Sequence, residues 1–206
     1  MPFFAGVTGQ VHYRHWETSD PRARLVFLHG MGQHSGQYHR FGRAMGRFGI
    51  EVWALDHVGH GLTEGELGDH GPVADLGVNA IRLADLVAAA QPRVPLFLMG
   101  HSLGAATAVT ALLAGGGPEF AGLVLCGTPK AITTAEPPTL RLPVLVVHGA
   151  DDRLAPVEPL RGWIAAVGGV ECSIQFYEYA DAGHDLLHEP VAPVVTADVA
   201  EWMRAR

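Results

Sequence analysis

One of the chain's four serines stands in Gly100-His101-Ser102-Leu103-Gly104, directly after an apolar run and directly before a helical pattern. A serine at the tip of so sharp a strand-to-helix turn has a strained backbone and an exposed hydroxyl. Glycines two places before and two after, here Gly100 and Gly104, keep the flanking backbone from colliding. A hydroxyl does not attack a carbonyl unaided. It needs an imidazole within hydrogen-bond reach, itself oriented by a carboxylate. With a turn of this kind the acid and then the histidine follow the serine along the chain. The segment His148-Gly149-Ala150-Asp151-Asp152-Arg153 follows the apolar run Val144 to Val147, and Ala182-Gly183-His184-Asp185 follows a strand pattern ending near Tyr177. Asp152 and His184 are the candidate acid and base, and Ser102 the candidate nucleophile. Asp151 competes with Asp152, but the first carboxylate of a turn entered through Gly149 is expected to cap the turn and leave the second facing the histidine. His188 competes with His184. It falls one turn into an expected short helix, Asp185 to Glu189, whereas His184 lies in a loop after glycine and has the freedom to reach Ser102.

Acyl transfer through a tetrahedral intermediate also needs two N–H donors aimed at the developing oxyanion. The amide of Leu103 is one, because it opens the helix after the serine. The second is expected from the loop after an earlier strand, where His29-Gly30-Met31-Gly32 stands, and Met31 would supply it.

Elements able to position these residues are legible in the hydrophobic period. A strand pair is expected around Phe3 to Gly6 and Gln10 to Trp16. Short apolar runs then recur at Leu25 to Leu28, Val52 to Asp56, Leu96 to Met99, Leu123 to Cys126, Val144 to Val147 and Ser173 to Tyr177. Between them lie helical patterns at Tyr38 to Phe48, Ala74 to Ala90, Leu103 to Leu113 and Pro159 to Val167, with a last one at Val194 to Met203. Alternation of helices with continuously apolar strands predicts an α/β fold, a mostly parallel sheet covered on both faces. Reactive groups in such sheets collect beyond the carboxyl ends of the strands. Only residues 127–143 separate two of these strands, and prolines among them, including Pro129, Pro137 and Pro138, leave room for at most a short helix.

Composition bounds the rest. The 206 residues are 48% hydrophobic and 17% charged, enough apolar material for one domain spanning 1–206. A formal charge of -7 and the lack of an arginine-rich stripe argue against nucleic acid as a partner. No apolar run is long enough for a membrane span. The N-terminal segment Met1 to Gly6 has no export signal, so a cytoplasmic address is expected. Cys126 and Cys172, far apart in the sequence, are expected to be reduced core thiols. A single lysine against thirteen arginines, with abundant alanine, glycine and proline, points to a GC-rich bacterial genome. His57-x-x-His60 and His184-x-x-x-His188 have spacings that would place imidazoles together, but neither has further ligands in prospect. No metal and no cofactor are expected.

The motifs resemble a family over nearly the whole chain. His29-Gly30-Met31-Gly32-Gln33-His34-Ser35-Gly36-Gln37-Tyr38, Asp56-His57-Val58-Gly59-His60-Gly61-Leu62-Thr63, Gly100 to Gly104, His148 to Arg153 and Gly183-His184 are similar to the serial motifs of monoacylglycerol lipases and related lysophospholipases, in the α/β-hydrolase superfamily. The resemblance implies an α/β-hydrolase fold and cleavage of carboxylic esters, including lipid esters. It also places the acid on Asp152 and the second oxyanion amide on Met31. It departs in two ways. Thr63 stands where serine is usual and Gln33 where an acidic residue is frequent. Members of this branch also carry a helical cap where this chain has only residues 127–143, so the resemblance is to a capless version with an open cleft. Either loose selection among small and bulky esters follows, or a second copy of the chain or another partner supplies the missing wall. A thioesterase or acyltransferase would use the same three side chains, and an idle binding module would keep the fold without the reaction. No basic cluster beside the motifs marks a phosphopantetheine or nucleotide site.

Overall fold

A computed structural model describes residues 2–167 and 173–206. Among them eight strands form one sheet: β1 (Phe3–Ala5), β2 (Gln10–Trp16), β3 (Ala23–Leu28), β4 (Ile50–Leu55), β5 (Leu96–His101), β6 (Gly122–Cys126), β7 (Val144–Gly149) and β8 (Ile174–Tyr179). Their spatial order is β1-β2-β4-β3-β5-β6-β7-β8. The last six in sequence run parallel, with Leu25 opposite Val52 on one side and opposite Phe97 on the other. The N-terminal pair joins the β4 edge antiparallel, Tyr13 facing Leu55.

Among the described residues six helices cover this sheet: α1 (His39–Arg47), α2 (Val73–Ala90), α3 (Leu103–Ala114), α4 (Lys130–Thr133), α5 (Val157–Val167) and α6 (Ala192–Arg204). Because successive strand residues point to opposite faces, β3 feeds two separate cores. Val26 and Leu28 pack with Leu83, Ala108 and Trp163 of α2, α3 and α5. Leu25 and Phe27 pack with Phe41, Met45, Val199 and Trp202 of α1 and α6. In α1 the apolar Phe41 and Met45 are buried while Arg40, Arg43 and Arg47 face water, as a one-sided helix requires.

From β3 the chain steps to β4 on one side and, after α2, returns to β5 on the other. The strand order therefore reverses between β3 and β5, the place where sheets of this type open a crevice at their carboxyl ends. Ser102 follows β5 and Met31 follows β3, so both stand at that crevice. Between β6 and β7 the chain forms only the one-turn helix α4, with Ile132 tucked into the core. Two local expectations need correction. The segment from Asp185 to Glu189 is a hydrogen-bonded turn and not a helix. Its downstream carboxylate is the cause: Glu189 folds back to accept the amides of Gly183 and Asp185. The first helix starts at His39, one residue later than its period predicts, because Ser35–Tyr38 winds as a tighter turn before it. Cys126 is buried and free at the end of β6, and burial pushes its thiol up, out of the reactive range. Cys172 lies outside the described residues.

One buried cation ties the far end of the sheet. Arg24, on β3, donates from Nη1 to the Val87 carbonyl, an acceptor that the end of α2 leaves open, and from Nη2 to the Val94 carbonyl in the connection to β5. Arg24→Met keeps most of the volume and removes both donors. It is expected to cost about 2–3 kcal/mol. Urea unfolding checks this through a lower midpoint at unchanged slope; an unchanged midpoint would show that the Val87 and Val94 carbonyls find water instead.

Candidate active site

The turn at Ser102 is forced by contact between backbones. A Cβ on Gly104 would sit 2.0 Å from the Leu28 carbonyl oxygen, and one on Gly100 would sit 2.1 Å from the carbonyl oxygen of Gly104. The first turn of α3 can therefore lie directly on the end of β3 only with glycine at both places. Between them Ser102 adopts φ 51° and ψ -114°, a left-handed conformation that L side chains rarely take. Its amide donates to the Cys126 carbonyl at 3.0 Å, which fixes the turn to the neighbouring strand end.

At this turn three expected residues come together. The Ser102 hydroxyl lies 2.9 Å from His184 Nε2. His184 Nδ1 donates to Asp152 Oδ2 at 2.7 Å. Since Nδ1 must carry a proton to face a carboxylate, Nε2 is left as the acceptor for the serine hydroxyl. Asp152 is fully buried at its side chain while His184 is 14% exposed. The other carboxylate oxygen, Oδ1, accepts the amides of Leu154 and Ala155 at 2.9 and 2.8 Å. One residue thus does both jobs that the sequence divided between two: Asp152 caps its own turn and faces the histidine. Asp151 points to solvent and its amide bonds the Ala182 carbonyl. Burial alone would raise the Asp152 carboxyl. The hydrogen bond with His184 and the Ala155 amide outweigh it, with His184 and His148 nearby, and hold it below its ordinary value. His188 stays apart from Ser102, its ring packed edge-on against Tyr38 at 4.7 Å.

Neither the amide of Met31 nor that of Leu103 is engaged by an acceptor among the described residues. The loop carrying Met31 is held by polar residues that sequence motifs flagged but spacing did not explain. Asp56, at the end of β4, accepts the amides of Ser35 and Leu62 and faces His12 Nδ1 at 3.0 Å. Thr63 supplies a hydroxyl donor to the Asp56 carbonyl, the same service a serine would give. His29 donates from Nδ1 to the Gly30 carbonyl and accepts the His57 amide at Nε2. His60 accepts the Gly32 amide at Nε2 and donates from Nδ1 to Val58. Both His60 nitrogens are therefore engaged, and among the described residues no three His, Cys, Asp or Glu side chains are grouped to hold a metal. A cleft of about 780 Å³ between α1 and the start of α6 is lined by Tyr38, Phe41, Leu187 and His188, and Ser102 does not reach it. No helix among the described residues is long and apolar enough to cross a membrane.

The buried imidazoles give the fold a defined response to acid. Desolvation holds His29 and His101 down to about 4, and lowers His57 and His148 as well. An unfolded histidine takes up a proton below about 6.5, whereas burial makes these resist it, His29 and His101 down to about 4. Their contribution is therefore complete above about 6.5 and is lost as pH falls towards about 4. The melting temperature is expected to drop by about 10 °C between pH 7 and pH 4.5. Calorimetry at several pH values measures this, and a level melting temperature over the range would contradict neutral burial.

The Hydrolase_4 family model (Serine aminopeptidase, S33) matches residues 19–136. Ser102 falls within that span; Asp152 and His184 lie beyond it. Human monoglyceride lipase is 35% identical over 144 residues, covering 65% of this chain and 46% of that protein. This chain thus spans under half the length of the human relative. A monoacylglycerol lipase of Mycolicibacterium smegmatis is 25% identical over 269 residues, covering 97% of this chain and 95% of that one. An alignment longer than the 206 residues present here means that this relative carries stretches with no counterpart in the chain. A thermostable carboxyl esterase from Bacillus coagulans, solved with glycerol, superposes with a TM-score of 0.82 at 18% identity, covering 99% of this chain and 97% of that one, a likeness of fold. With a family match over more than half of its length, on a sheet of this order, the chain belongs to the Hydrolase_4 family of the α/β-hydrolase superfamily.

Proposed function

We propose that residues 1–206 act as one hydrolase domain that cleaves carboxylic esters, of the monoacylglycerol or lysophospholipid kind, through an acyl-enzyme on Ser102. The observation that carries this reading is the continuous run from the Ser102 hydroxyl through His184 to the buried Asp152, at 2.9 and 2.7 Å. Such a run gives a serine its base and gives the base its orientation. The strained turn adds direction, because it lifts the hydroxyl clear of the sheet at the mouth of the crevice.

In this mechanism Ser102 Oγ attacks the ester carbonyl carbon and its proton passes to His184 Nε2. The carbonyl electrons move onto oxygen, and the amides of Met31 and Leu103 bind that oxyanion. Asp152, held charged in a dry site, stabilises the imidazolium without taking its proton. Collapse of the intermediate expels the alcohol, which receives the proton from His184. Water then attacks the acyl carbon, gives a proton to the same nitrogen, and the acid leaves as Ser102 recovers its hydrogen. The relatives that bear lipase names support a lipid ester as substrate. The short interval between β6 and β7 supports an open site that takes esters of several sizes.

A fluorophosphonate probe tests the reading directly, with the modified residue located by peptide mass. Label on Ser102 is expected, and none on the Ser102→Ala protein. Ser102→Ala and His184→Ala should each lower ester turnover by at least about a thousandfold, with little change in melting temperature. Folded protein that stays unlabelled, or that carries the label on another residue, would overturn the proposal.

A further inference from the structure

A second polar contact bridges the two loops on either side of Ser102. Gln33 Oε1 accepts the Gly30 amide at 2.9 Å and the Tyr38 hydroxyl at 2.5 Å. Its Nε2 donates to Asp185 Oδ1 at 2.7 Å. The orientation of the amide follows from these partners, since a backbone N–H needs the oxygen and a carboxylate needs the NH₂. Gly30 precedes Met31, whose amide is the proposed oxyanion donor, and Asp185 follows His184, the proposed base. Beneath the bridge His101 donates from Nε2 to the His184 carbonyl at 2.9 Å, which leaves its Nδ1, 3.1 Å from Gln33 Oε1, without a proton to give that oxygen. Two imidazoles and one carboxylate, that of Glu189, face Asp185 besides Gln33. His101 Nε2 lies 3.6 Å and His188 Nδ1 3.9 Å from its Oδ1, and its own amide is taken by Glu189.

We infer that Gln33 is a positioning residue: its side chain is a strut that fixes the oxyanion loop relative to the base loop, and it must be an amide because Asp185 stands opposite. This rests on the reading of Ser102, His184 and the Met31 amide given above. An amide has one accepting and one donating end, and both are used. A carboxylate in its place would still accept from Gly30 and Tyr38 but would set a second negative charge against Asp185, where the two would repel. The residue pair 33 and 185 is thus matched in polarity across the site, which accounts for a neutral side chain where the resemblance leads one to expect an acid. With only the one-turn α4 between β6 and β7, this strut carries ordering that a larger covering element would share.

Charge restoration tests the inference. Gln33→Glu is expected to slow fluorophosphonate labelling of Ser102, and to lower kcat for a short p-nitrophenyl ester, by at least about tenfold with KM within about threefold, because an oxyanion donor is displaced and no binding contact is lost. Adding Asp185→Asn removes the repulsion and offers a donor to the new carboxylate, so the double variant should recover to within about threefold of the original chain. Gln33→Ala removes the strut without adding charge, and the same second change should not rescue it. Full activity in Gln33→Glu, no recovery in the double variant, or equal rescue of Gln33→Ala would each overturn the inference. If the unaltered chain does not label at Ser102, it is the proposed function that fails. The strut is then judged by thermal unfolding: melting temperature lost in Gln33→Glu and regained in the double variant supports it, and no recovery overturns it.

Discussion

The close approach of two backbones, the first turn of α3 lying on the carboxyl end of β3, is the constraint on which the rest of the site depends. A side chain at Gly104 would overlap the Leu28 carbonyl, and one at Gly100 would overlap Gly104 itself. Once that contact is made, Ser102 has nowhere to go but into the left-handed region, with its amide on the Cys126 carbonyl and its hydroxyl at the crevice. Such strain costs of order 1–3 kcal/mol. It persists because the strands on both sides are buried and paired in register, so relaxing the turn would break the sheet.

Everything brought to Ser102 arrives on loops, and these loops are held by buried polar groups instead of regular structure. Asp56 gathers the segments around Ser35 and Leu62, His29 joins the end of β3 to the loop after β4, and His60 reaches the Gly32 amide. In a dry interior each such bond is strong and each missing partner is costly. The histidines suit the task because a neutral imidazole has one donor and one acceptor, and so can join a carbonyl on one loop to an amide on another. His29, His60 and His101 each act in this way.

Much of this was legible in the sequence, for identifiable reasons. Strands buried on both faces are continuous apolar runs, so β3, β5, β6 and β7 appear as Leu25 to Leu28, Leu96 to Met99, Leu123 to Cys126 and Val144 to Val147. Ser102 was legible because its neighbours must be glycine, and His184 because it follows one at a strand end. Asp152 faces His184, but the division of roles expected with Asp151 does not hold, since the capping of the turn is Asp152's own. The Asp185 to Glu189 helix failed because its pattern could not reveal Glu189 turning back on Gly183 and Asp185. Gln33 and Asp185 are 152 positions apart, and Arg24 and Val94 are 70. Local periodicity carries no information about such pairs.

The short interval between β6 and β7 then sets how the site relates to water. A covering element over Ser102 would lower the local dielectric and strengthen every interaction with a developing oxyanion. With only α4 there, the means of keeping the site ordered must come from below and from the sides, through the saturated carboxylate of Asp152 and the polar ties between loops. A rigid floor beneath an open mouth holds the reacting carbonyl through its oxygen and leaves the rest of the substrate largely unread. On the proposed reading, discrimination among esters in such a site comes from the chemistry of the carbonyl and its leaving group more than from the shape of the acyl chain.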